Sequence, residues 1–399
     1  MKKHIRIWAA VIAVIMLLAC LTSCGNQSQD DSNANASEET DNSPSVPASS
    51  QENYDGQLIL ESTMQLDYAK NFSIDFYKGG YRMITAGTGG FKYLVVPENM
   101  SVPQDLDENV KVLQQPINSV YIASSSMASL VSAIGALDRV KLVATEQNEW
   151  YIDDIAQAMA NGEIAYSGNY KEPDYELMTA NGIQLHVDTT MIDGYPEVLE
   201  KFEELGIPSL VEDSSRESHP LGRVEWVKIF GVLFGMEDEA EQYFEEQKEL
   251  VAAANTNSQR DVTVAIGYIL SNGKCYARNG GDYLAQMIEL AGGTYNLADM
   301  NPDKGGNSNM TFEEWYAINK DADYLFYLNY LPIFSTIEEM IEYNPLFADF
   351  KCVQNGNVWI TSEDFTQSTA AVASIISDMS EIISSGDGNV TTDHLIKLK

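Results

Sequence analysis

The stretch VEWVKIFGVLFGMEDEAEQYFEEQKELVAAAN, residues 224–255, is the longest helical pattern in the chain and decides its architecture. Its second part carries apolar residues three or four positions apart, with acidic residues on the opposite face. The apolar positions are Ala240, Tyr243, Phe244, Leu250 and Val251. Because no flexible linker interrupts the stretch, it predicts a rigid connection that permits only limited hinge motion between its two flanks.

Strands and helices alternate on both sides of this connection. Apolar strand patterns such as NSVYIAS (118–124) and DVTVAIGYIL (261–270) are followed by helical patterns after short loops, which predicts a parallel α/β sheet in each half. Residues 57–97 differ, because apolar and polar positions alternate between Gly-rich turns and predict short antiparallel strands. The predicted organisation is an N-terminal α/β lobe over 57–235, an interlobe helix over 236–256 and a C-terminal α/β lobe over 257–399.

The first 56 residues carry a targeting signal and a tether. Lys2, Lys3 and Arg6 precede an apolar run, and the following Leu21-Thr22-Ser23-Cys24 resembles the lipobox of a bacterial lipoprotein. That resemblance implies removal of residues 1–23 and lipidation of Cys24, with Cys20 as a second candidate and an ordinary signal peptide as the alternative. Residues 24–56 are polar and acidic, so we expect a mobile tether and an extracytoplasmic, membrane-anchored protein.

Composition excludes several classes of function. The formal net charge is −35, which opposes nucleic acid as a partner and weakens long-range attraction of anionic ligands unless local Arg or Lys side chains compensate. The sequence contains no zinc-ligand spacing, Walker A loop, dinucleotide fingerprint or nucleophile elbow, so no metal site or cofactor is predicted. Past Cys24 only Cys275 and Cys352 remain; they could pair or be two buried free thiols.

Four segments together resemble the substrate-binding lipoproteins of iron–siderophore, haem and cobalamin ABC importers. The resemblance covers about residues 110–383, and it depends on the order and spacing of SSRESHPLGRVEWVKIFGVLFGMEDEAEQYFEEQ (214–247), GGDYLAQMIELAGGTYNLAD (280–299), MTFEEWYAINKDADYLFYL (310–328) and GNVWIT (356–361). It implies two Rossmann-like α/β lobes bridged by one long helix, the fold of class III periplasmic binding proteins, with ligand held between the lobes. The β-rich segment 57–97 is longer than that pattern.

The function that the resemblance implies is capture of a ferric siderophore or similar chelate and its delivery to an ABC permease, without catalysis. Haem or cobalamin is the alternative ligand within the same importer class. A surface-anchored hydrolase is the alternative from another class, and it would require a nucleophile–base pair or paired carboxylates in a cleft. A sensor or adhesin built on the same fold is a further alternative.

Two acidic residues are candidates for contact with the permease. In the family that the chain resembles, one glutamate on each lobe binds arginines of the membrane subunits, and the matching positions are Glu176 and Glu313. The alternative is structural, because acidic side chains in the first turn of a helix are stabilised by the helix dipole. Asp174 is a candidate N-cap and Thr311-x-x-Glu314 a capping box, which would leave Glu313 directed outward.

Ligand contacts are expected from loops that face the cleft, at the carboxyl ends of strands. In siderophore-binding relatives an arginine precedes the E-P-x-x-E segment, and Tyr170 stands there with Lys171 beside it. Arg278 follows a predicted strand, where its guanidinium could bind an anionic oxygen. His219 could ligate haem iron or could cap the turn that precedes Pro220. The other candidates are Ser124–Ser126, Trp150, Tyr151, Met191–Tyr195 (with Tyr195 as the side chain chosen), Arg216, Tyr276, Tyr330 and Phe365.

Overall fold

Three separate β-sheets and twelve helices make up the part of the chain that the computed structural model describes. That part comprises residues 57–87, 89–256, 261–330, 332–386 and 389–399. The predicted signal, Cys24 and the tether over 24–56 lie outside the described residues. Among the residues described, no helix is long and apolar enough to cross a membrane.

The first sheet is built by the β-rich N-terminal segment. Its strands follow one another in space as they do in the chain: β1 (Leu60–Thr63), β2 (Phe72–Tyr77), β3 (Tyr81–Ala86), β4 (Phe91–Val96) and β5 (Val110–Gln114). The predicted antiparallel strands are confirmed for β1 to β4. The sequence pattern missed β5, which lies parallel to β4 and therefore needs a crossover loop instead of a hairpin turn.

The second sheet is entirely parallel and forms the first lobe. Its order is β10-β9-β6-β7-β8, so the strand order reverses between β6 and β9. The strands are β6 (Val120–Ile122), β7 (Val140–Val143), β8 (Ala165–Tyr166), β9 (Leu185–Thr189) and β10 (Ser209–Glu212). The helices between them are α1 (Ser125–Ala133), α2 (Asp153–Ala160), α3 (Tyr175–Ala180) and α4 (Pro196–Glu204). The predicted parallel α/β lobe is confirmed here.

The fold-deciding stretch forms consecutive helices, preceded by a short one. They are α5 (Pro220–Glu225), α6 (Val227–Phe234) and α7 (Glu237–Thr256). Gly235 ends α6 in a left-handed conformation (φ 69°), which lets the chain turn without a Cβ clash. The twenty residues of α7 span about 30 Å. Ala240, Phe244 and Val251 are buried as predicted, whereas Leu250 lies on the solvent side of the helix.

The third sheet belongs to the second lobe and is mixed. Its order is β14-β12-β11-β15-β16-β17, and β13 also pairs with β11. The strands are β11 (Thr263–Ile269), β12 (Lys274–Arg278), β13 (Thr294–Tyr295), β14 (Asn307–Thr311), β15 (Tyr324–Tyr327), β16 (Val358–Thr361) and β17 (Leu395–Lys397). The prediction of a fully parallel sheet is wrong at its edges, because a tight turn joins β11 to β12 as a hairpin and β14 and β17 are also antiparallel to their neighbours.

The helices of the second lobe surround this sheet. They are α8 (Tyr283–Leu290), α9 (Phe312–Asn319), α10 (Ile337–Tyr343), α11 (Lys351–Gln354) and α12 (Val372–Ser385). The Ser380 hydroxyl on α12 donates to the Ala254 carbonyl of α7 at 3.0 Å, so the last helix lies along the long one. Cys275 and Cys352 are both buried free thiols, which decides between the two alternatives left by the sequence.

The first sheet covers the free edge of β10. The Tyr93 hydroxyl donates to the Ser209 carbonyl at 2.7 Å, and the Asn71 amide donates to the Asp213 carbonyl at 3.4 Å. An exposed edge strand is a template for unwanted pairing with another chain. The extra sheet therefore has a structural role that the β-rich sequence pattern by itself did not reveal.

Two buried glutamates attach the first sheet to helix α5. The Glu225 carboxylate accepts backbone N–H groups of Asp67, Tyr68 and Ala69 at 2.8 to 2.9 Å. The Glu217 carboxylate accepts the N–H groups of residues 70 and 71 at 2.9 to 3.0 Å and the Trp226 indole N–H at 3.1 Å. We call residues 67–71 with these two carboxylates the N-terminal latch.

Candidate ligand-binding site

Buried polar groups of the first lobe gather where its strand order reverses. Ser124 caps helix α1 and also donates to the Glu212 carboxylate at 3.4 Å, while the other Glu212 oxygen accepts the Ser214 N–H at 2.7 Å. Burial raises the pKa of Glu212, although Ser214, Ser124 and the positive charge of Arg223 oppose this shift. The predicted Ser124–Ser126 loop thus serves as a helix cap beside a buried acid.

Three tyrosines form an aromatic cluster in the second lobe. Tyr268 on β11 lies directly opposite Tyr276 on β12, and their rings meet edge to face at 5.3 Å. Tyr330, after β15, meets Tyr268 at 4.9 Å in the same manner. The structure therefore brings together the predicted residues Tyr276 and Tyr330. Tyr268 was missed, although its position opposite Tyr276 in a hairpin was a signal that could have identified it.

Arg278 lies at the end of β12 beside these tyrosines. Its side chain is 11% exposed, and one guanidinium nitrogen is 3.8 Å from the Asp282 carboxylate. Burial raises the pKa of Tyr330 to about 12, and the positive charges of Arg278 and Arg223 act in the opposite direction. Among the residues described, none accepts a hydrogen bond from the Arg278 Nε. The side chain is held in place and keeps binding capacity for an anion.

Arg223 is a second arginine at this position, and it was missed. It projects from α5, between the lobes, and its guanidinium carbon lies 4.0 Å from the centroid of the Tyr283 ring. Together with Tyr330 and Phe365 it lines a pocket of about 160 Å³. An arginine in a short, otherwise mainly apolar helix between two α/β halves was the available signal.

Three predicted residues of the first lobe also come together. Tyr170 and Tyr195 meet edge to face at 5.9 Å, and the Lys171 ammonium lies 5.4 and 5.1 Å from their ring centroids. Hydrogen bonding to the Tyr195 hydroxyl raises the pKa of Lys171. This is a solvent-exposed cationic and aromatic cluster at the carboxyl ends of β8 and β9. Across the described chain, no ring contact or hydrogen bond joins it to the tyrosines of the second lobe.

Three further candidates have structural partners. Trp150 is buried, and its indole N–H donates to the Thr145 carbonyl at 3.1 Å, so this ring is part of the core instead of the cleft surface. The Arg216 Nε lies 3.3 Å from the Asp213 carboxylate, with half of the arginine side chain exposed. His219 caps α5 by accepting the Leu221 N–H at 3.1 Å, which is the structural alternative of the sequence analysis.

Residues 363–371 connect the two lobes, and we call them the bridging loop. The Gln367 side-chain amide donates to the Glu149 carbonyl at 2.8 Å and accepts the Tyr151 N–H at 3.0 Å. The Ala370 N–H donates to the Ser129 hydroxyl at 3.2 Å. The predicted residue Phe365 lies in this loop and faces the Arg223 pocket. Gln367 had no sequence signal, because its partners are backbone groups far away in the chain.

A buried ion pair fastens the bridging loop. The His394 imidazole lies 3.1 Å from the Asp364 carboxylate, which also accepts a hydrogen bond from the Ser368 hydroxyl at 2.8 Å. Burial disfavours both charges, but the hydrogen bonds between them outweigh it. They raise the pKa of His394 and hold that of Asp364 well below its usual range.

The two candidate docking glutamates are exposed in the first turns of α3 and α9. Their neighbours are engaged in capping: Asp174 accepts the Leu177 N–H at 2.9 Å, and Thr311 with Glu314 forms the predicted capping box. Within the described ranges, no side chain forms an ion pair or hydrogen bond with Glu176 or Glu313.

A wider groove of about 570 Å³ lies elsewhere, between the first sheet and α4. It is lined mainly by apolar side chains such as Phe91 and Leu199, and the Lys111–Glu203 ion pair lies beside it at 2.7 Å. It contains none of the predicted ligand residues. In the described part of the chain, no group of three or more His, Cys, Asp or Glu side chains is placed to hold a metal ion.

Comparisons with known proteins agree with this architecture. A sequence model described as periplasmic binding protein matches residues 122–364. An uncharacterized lipoprotein of Methanocaldococcus jannaschii is 29% identical over 397 residues, which covers 92% of this chain and 89% of that protein.

Two solved structures share the fold at low sequence identity. One is a possible iron-binding (periplasmic solute-binding) protein of Staphylococcus epidermidis, with a TM-score of 0.54 and 15% identity, over 67% of this chain and 98% of that one. The other is the periplasmic haem-binding protein HutB of Vibrio cholerae, with a TM-score of 0.54 and 14% identity, over 65% and 97%. They confirm the predicted class III architecture of two α/β lobes bridged by a long helix. Because the family match also spans more than half of the sequence, the chain belongs to the periplasmic binding protein family of solute-binding proteins.

Proposed function

We propose that this protein captures a ferric siderophore or related metal chelate between its lobes and delivers it to an ABC permease. The observation that carries the proposal is the convergence of Arg278 and Arg223 on the tyrosines of the second lobe. Arginine pairs with anionic oxygen ligands through charge-assisted hydrogen bonds, and tyrosine rings pack against the organic part of a chelate. The fold is shared with the possible iron-binding protein of S. epidermidis.

Haem is the second candidate ligand, because the fold is also that of the haem-binding protein of V. cholerae. Arginines would bind its propionates, and a tyrosine oxygen is a known type of haem-iron ligand. Cobalamin, which the resemblance also implies, lacks such free carboxylates and would use the aromatic cluster more than the arginines.

Delivery requires contact with the membrane, and two features support it. Glu176 and Glu313 are exposed carboxylates, one on each lobe, while the acids next to them are engaged in capping. Lipidation of Cys24 would hold the protein at the extracytoplasmic face of the membrane, since two or more acyl chains anchor stably. We expect Cys24→Ala to move the protein from the membrane fraction to the soluble fraction. Persistent membrane attachment of that variant would contradict the anchor.

Closure around the ligand would be a movement of a few degrees. Helix α7 is continuous over twenty residues and packs against α12, so it resists large bending. The Gln367 and Ser129 hydrogen bonds would adjust as the lobes approach. The ligand acts by binding the closed form more tightly than the open one.

The experiment is a titration of the chain from residue 25 onward with a ferric hydroxamate, a ferric catecholate, haem and cobalamin. Intrinsic fluorescence of Trp226, Trp315 and Trp359 reports binding, with free tryptophan as the control for light absorbed by the ligands. Saturable quenching at micromolar concentration or below by an iron chelate supports the proposal. Saturable quenching by haem alone selects the second candidate, and absence of binding to the whole panel contradicts both.

A further inference from the structure

The pocket beside Arg223 has walls from five parts of the chain. Arg223 projects from α5, Tyr283 and Met287 from α8, Tyr330 from the segment after β15, and the remaining residues from the bridging loop and α12. Its volume of about 160 Å³ is too small for a whole iron chelate but can hold one arm of a chelate.

The arginine in this pocket is oriented but its hydrogen bonding is incomplete. The Tyr283 ring lies 4.0 Å below the guanidinium carbon and determines its plane. The Nε atom is shielded from solvent, and within the described residues it has no hydrogen-bond partner. A buried charged donor without an acceptor costs free energy, which an anionic oxygen brought by a ligand would recover.

The other charges near the pocket favour an anion. Arg278 acts on the same Tyr330 hydroxyl as Arg223 does. The acid on the first-lobe side is Glu212, whose oxygens already accept hydrogen bonds from Ser214 and Ser124. Burial raises the pKa of Glu212, which weakens its competition for Arg223. The Asp364 carboxylate in the bridging loop is neutralised by its contact with His394.

We propose that this pocket receives a carboxylate arm of the ligand, that Arg223 is its anchor, and that the protein therefore selects chelates with a free carboxylate. The planar guanidinium matches the two oxygens of a carboxylate, and the small volume excludes larger groups. The selectivity rests on the proposed function. The anion site itself does not, because it can be detected without iron.

The first test uses citrate as the probe and Arg223 as the reporter. The sequence contains seven arginines, so the side-chain Nε–H signals of the ¹⁵N-labelled chain from residue 25 are few, and loss of one signal in Arg223→Lys assigns it. We expect citrate to shift the Arg223 signal saturably and trimethyl citrate, which has no charge, to leave it unchanged. Inorganic phosphate tests whether any oxyanion suffices. No shift with citrate at tens of millimolar, or equal shifts with trimethyl citrate or phosphate, overturns the proposal.

The second test compares two chelates. Ferric citrate has free carboxylates, whereas a ferric hydroxamate without carboxylates does not. We expect Arg223→Lys to weaken the ferric citrate complex by about tenfold or more and to change the hydroxamate complex little. Arg139→Lys is the matched control, because Arg139 pairs with Asp138 in the first lobe. Equal losses for both chelates overturn the selectivity.

The two proposals fail in different ways. If no chelate of the panel binds but citrate shifts the Arg223 signal, the proposed transport function fails and the anion site stands. If a chelate binds but citrate leaves the Arg223 signal unchanged, the site is wrong and the transport function stands. Should Arg223→Lys fail to fold, the citrate titration of the unmodified chain, with its signals assigned by backbone experiments, still decides.

Discussion

The two faces of helix α5 treat charged side chains in opposite ways. On the latch side, Glu225 accepts three backbone N–H groups and also lies 3.2 Å from the Lys228 ammonium. On the cleft side, the Arg223 Nε is shielded from solvent and has no acceptor among the described residues. Buried polar groups that serve the fold are normally satisfied by the fold. A buried group with unused hydrogen-bonding capacity therefore indicates where a ligand binds.

The same contrast recurs on the outer surface, within single helix turns. Asp174 and Glu314 hold the N-termini of α3 and α9, whereas their neighbours Glu176 and Glu313 have no such task. Each pair offers a matched comparison between a structural and a functional carboxylate. The predictions below test this division.

The largest expected effect is on uptake. Glu176→Ala combined with Glu313→Ala should abolish transport in cells, because both contacts with the permease are lost, and should leave ligand affinity and the free energy of unfolding unchanged. Radiolabelled iron uptake and fluorescence titration measure the two quantities. An equal loss of affinity and uptake would contradict the docking assignment.

Asp174→Ala combined with Glu314→Ala is the matched control. Each loses a helix cap, which costs about 1 kcal/mol of stability. We expect uptake to persist in this variant. If it were lost as completely as in the first variant, the distinction between capping and docking carboxylates would not hold.

The next effect concerns the latch. Glu225→Ala leaves the N–H groups of Asp67, Tyr68 and Ala69 buried without an acceptor and removes one partner of Lys228. We expect a loss of about 3 kcal/mol in the free energy of unfolding, measured in denaturant. Glu249→Ala, an exposed acid on α7, is the control and should change stability by less than about 0.5 kcal/mol. Similar values for both variants would contradict the role of the latch.

Arg278→Met should show the reverse pattern. Ligand affinity is expected to fall about tenfold to a hundredfold, which corresponds to the loss of a charge-assisted hydrogen bond. The free energy of unfolding should change by less than about 1 kcal/mol, because the nearest carboxylate lies at 3.8 Å and contributes little. A variant that is destabilised but binds normally would place Arg278 among the structural charges.

The smallest effect is a dependence on pH through the bridging loop. The pKa of His394 is raised above 6.5, so the stabilisation by its charge is fully present below the unfolded value and is lost as pH rises through the folded value. The pKa of Asp364 is lowered, so its contribution is lost only as pH falls below 3.8.

We therefore expect the free energy of unfolding to decrease between pH 6 and pH 9 in the unmodified chain. In His394→Gln this part of the slope should disappear, because the side chain no longer titrates. Denaturant titrations at each pH measure it. Identical slopes in the two proteins would show that the ion pair does not fasten the loop.

Much of the fold could be predicted from the sequence because periodicity is a local property. The amphipathic spacing around Phe244 predicted α7, and the alternation in residues 57–97 predicted β1 to β4. The parallel strand β5 and the antiparallel edges of the third sheet were not predicted. Strand direction depends on which partner lies alongside, and single-strand patterns do not contain that information.

The candidate site was predicted only in part, for a related reason. Tyr170, Lys171 and Tyr195 come together as expected, and so do Tyr276, Arg278 and Tyr330. Trp150 was assigned to the cleft but lies in the core, since aromatic residues suit both environments. Whether a tyrosine or tryptophan faces the ligand is decided by the packing of distant segments.

By itself the sequence determined the targeting signal, the two α/β halves, the helix between them and the family, since each of these is specified by composition or by the spacing of neighbours in the chain. Only the tertiary structure decided which charges are used up by the fold. The Glu225 acceptors lie more than 150 positions away, and Arg223 is only two positions from Glu225, yet one is satisfied and the other is not. Hydrogen bonds and burial depend on separations in space, and a folded chain sets these independently of separations along the sequence.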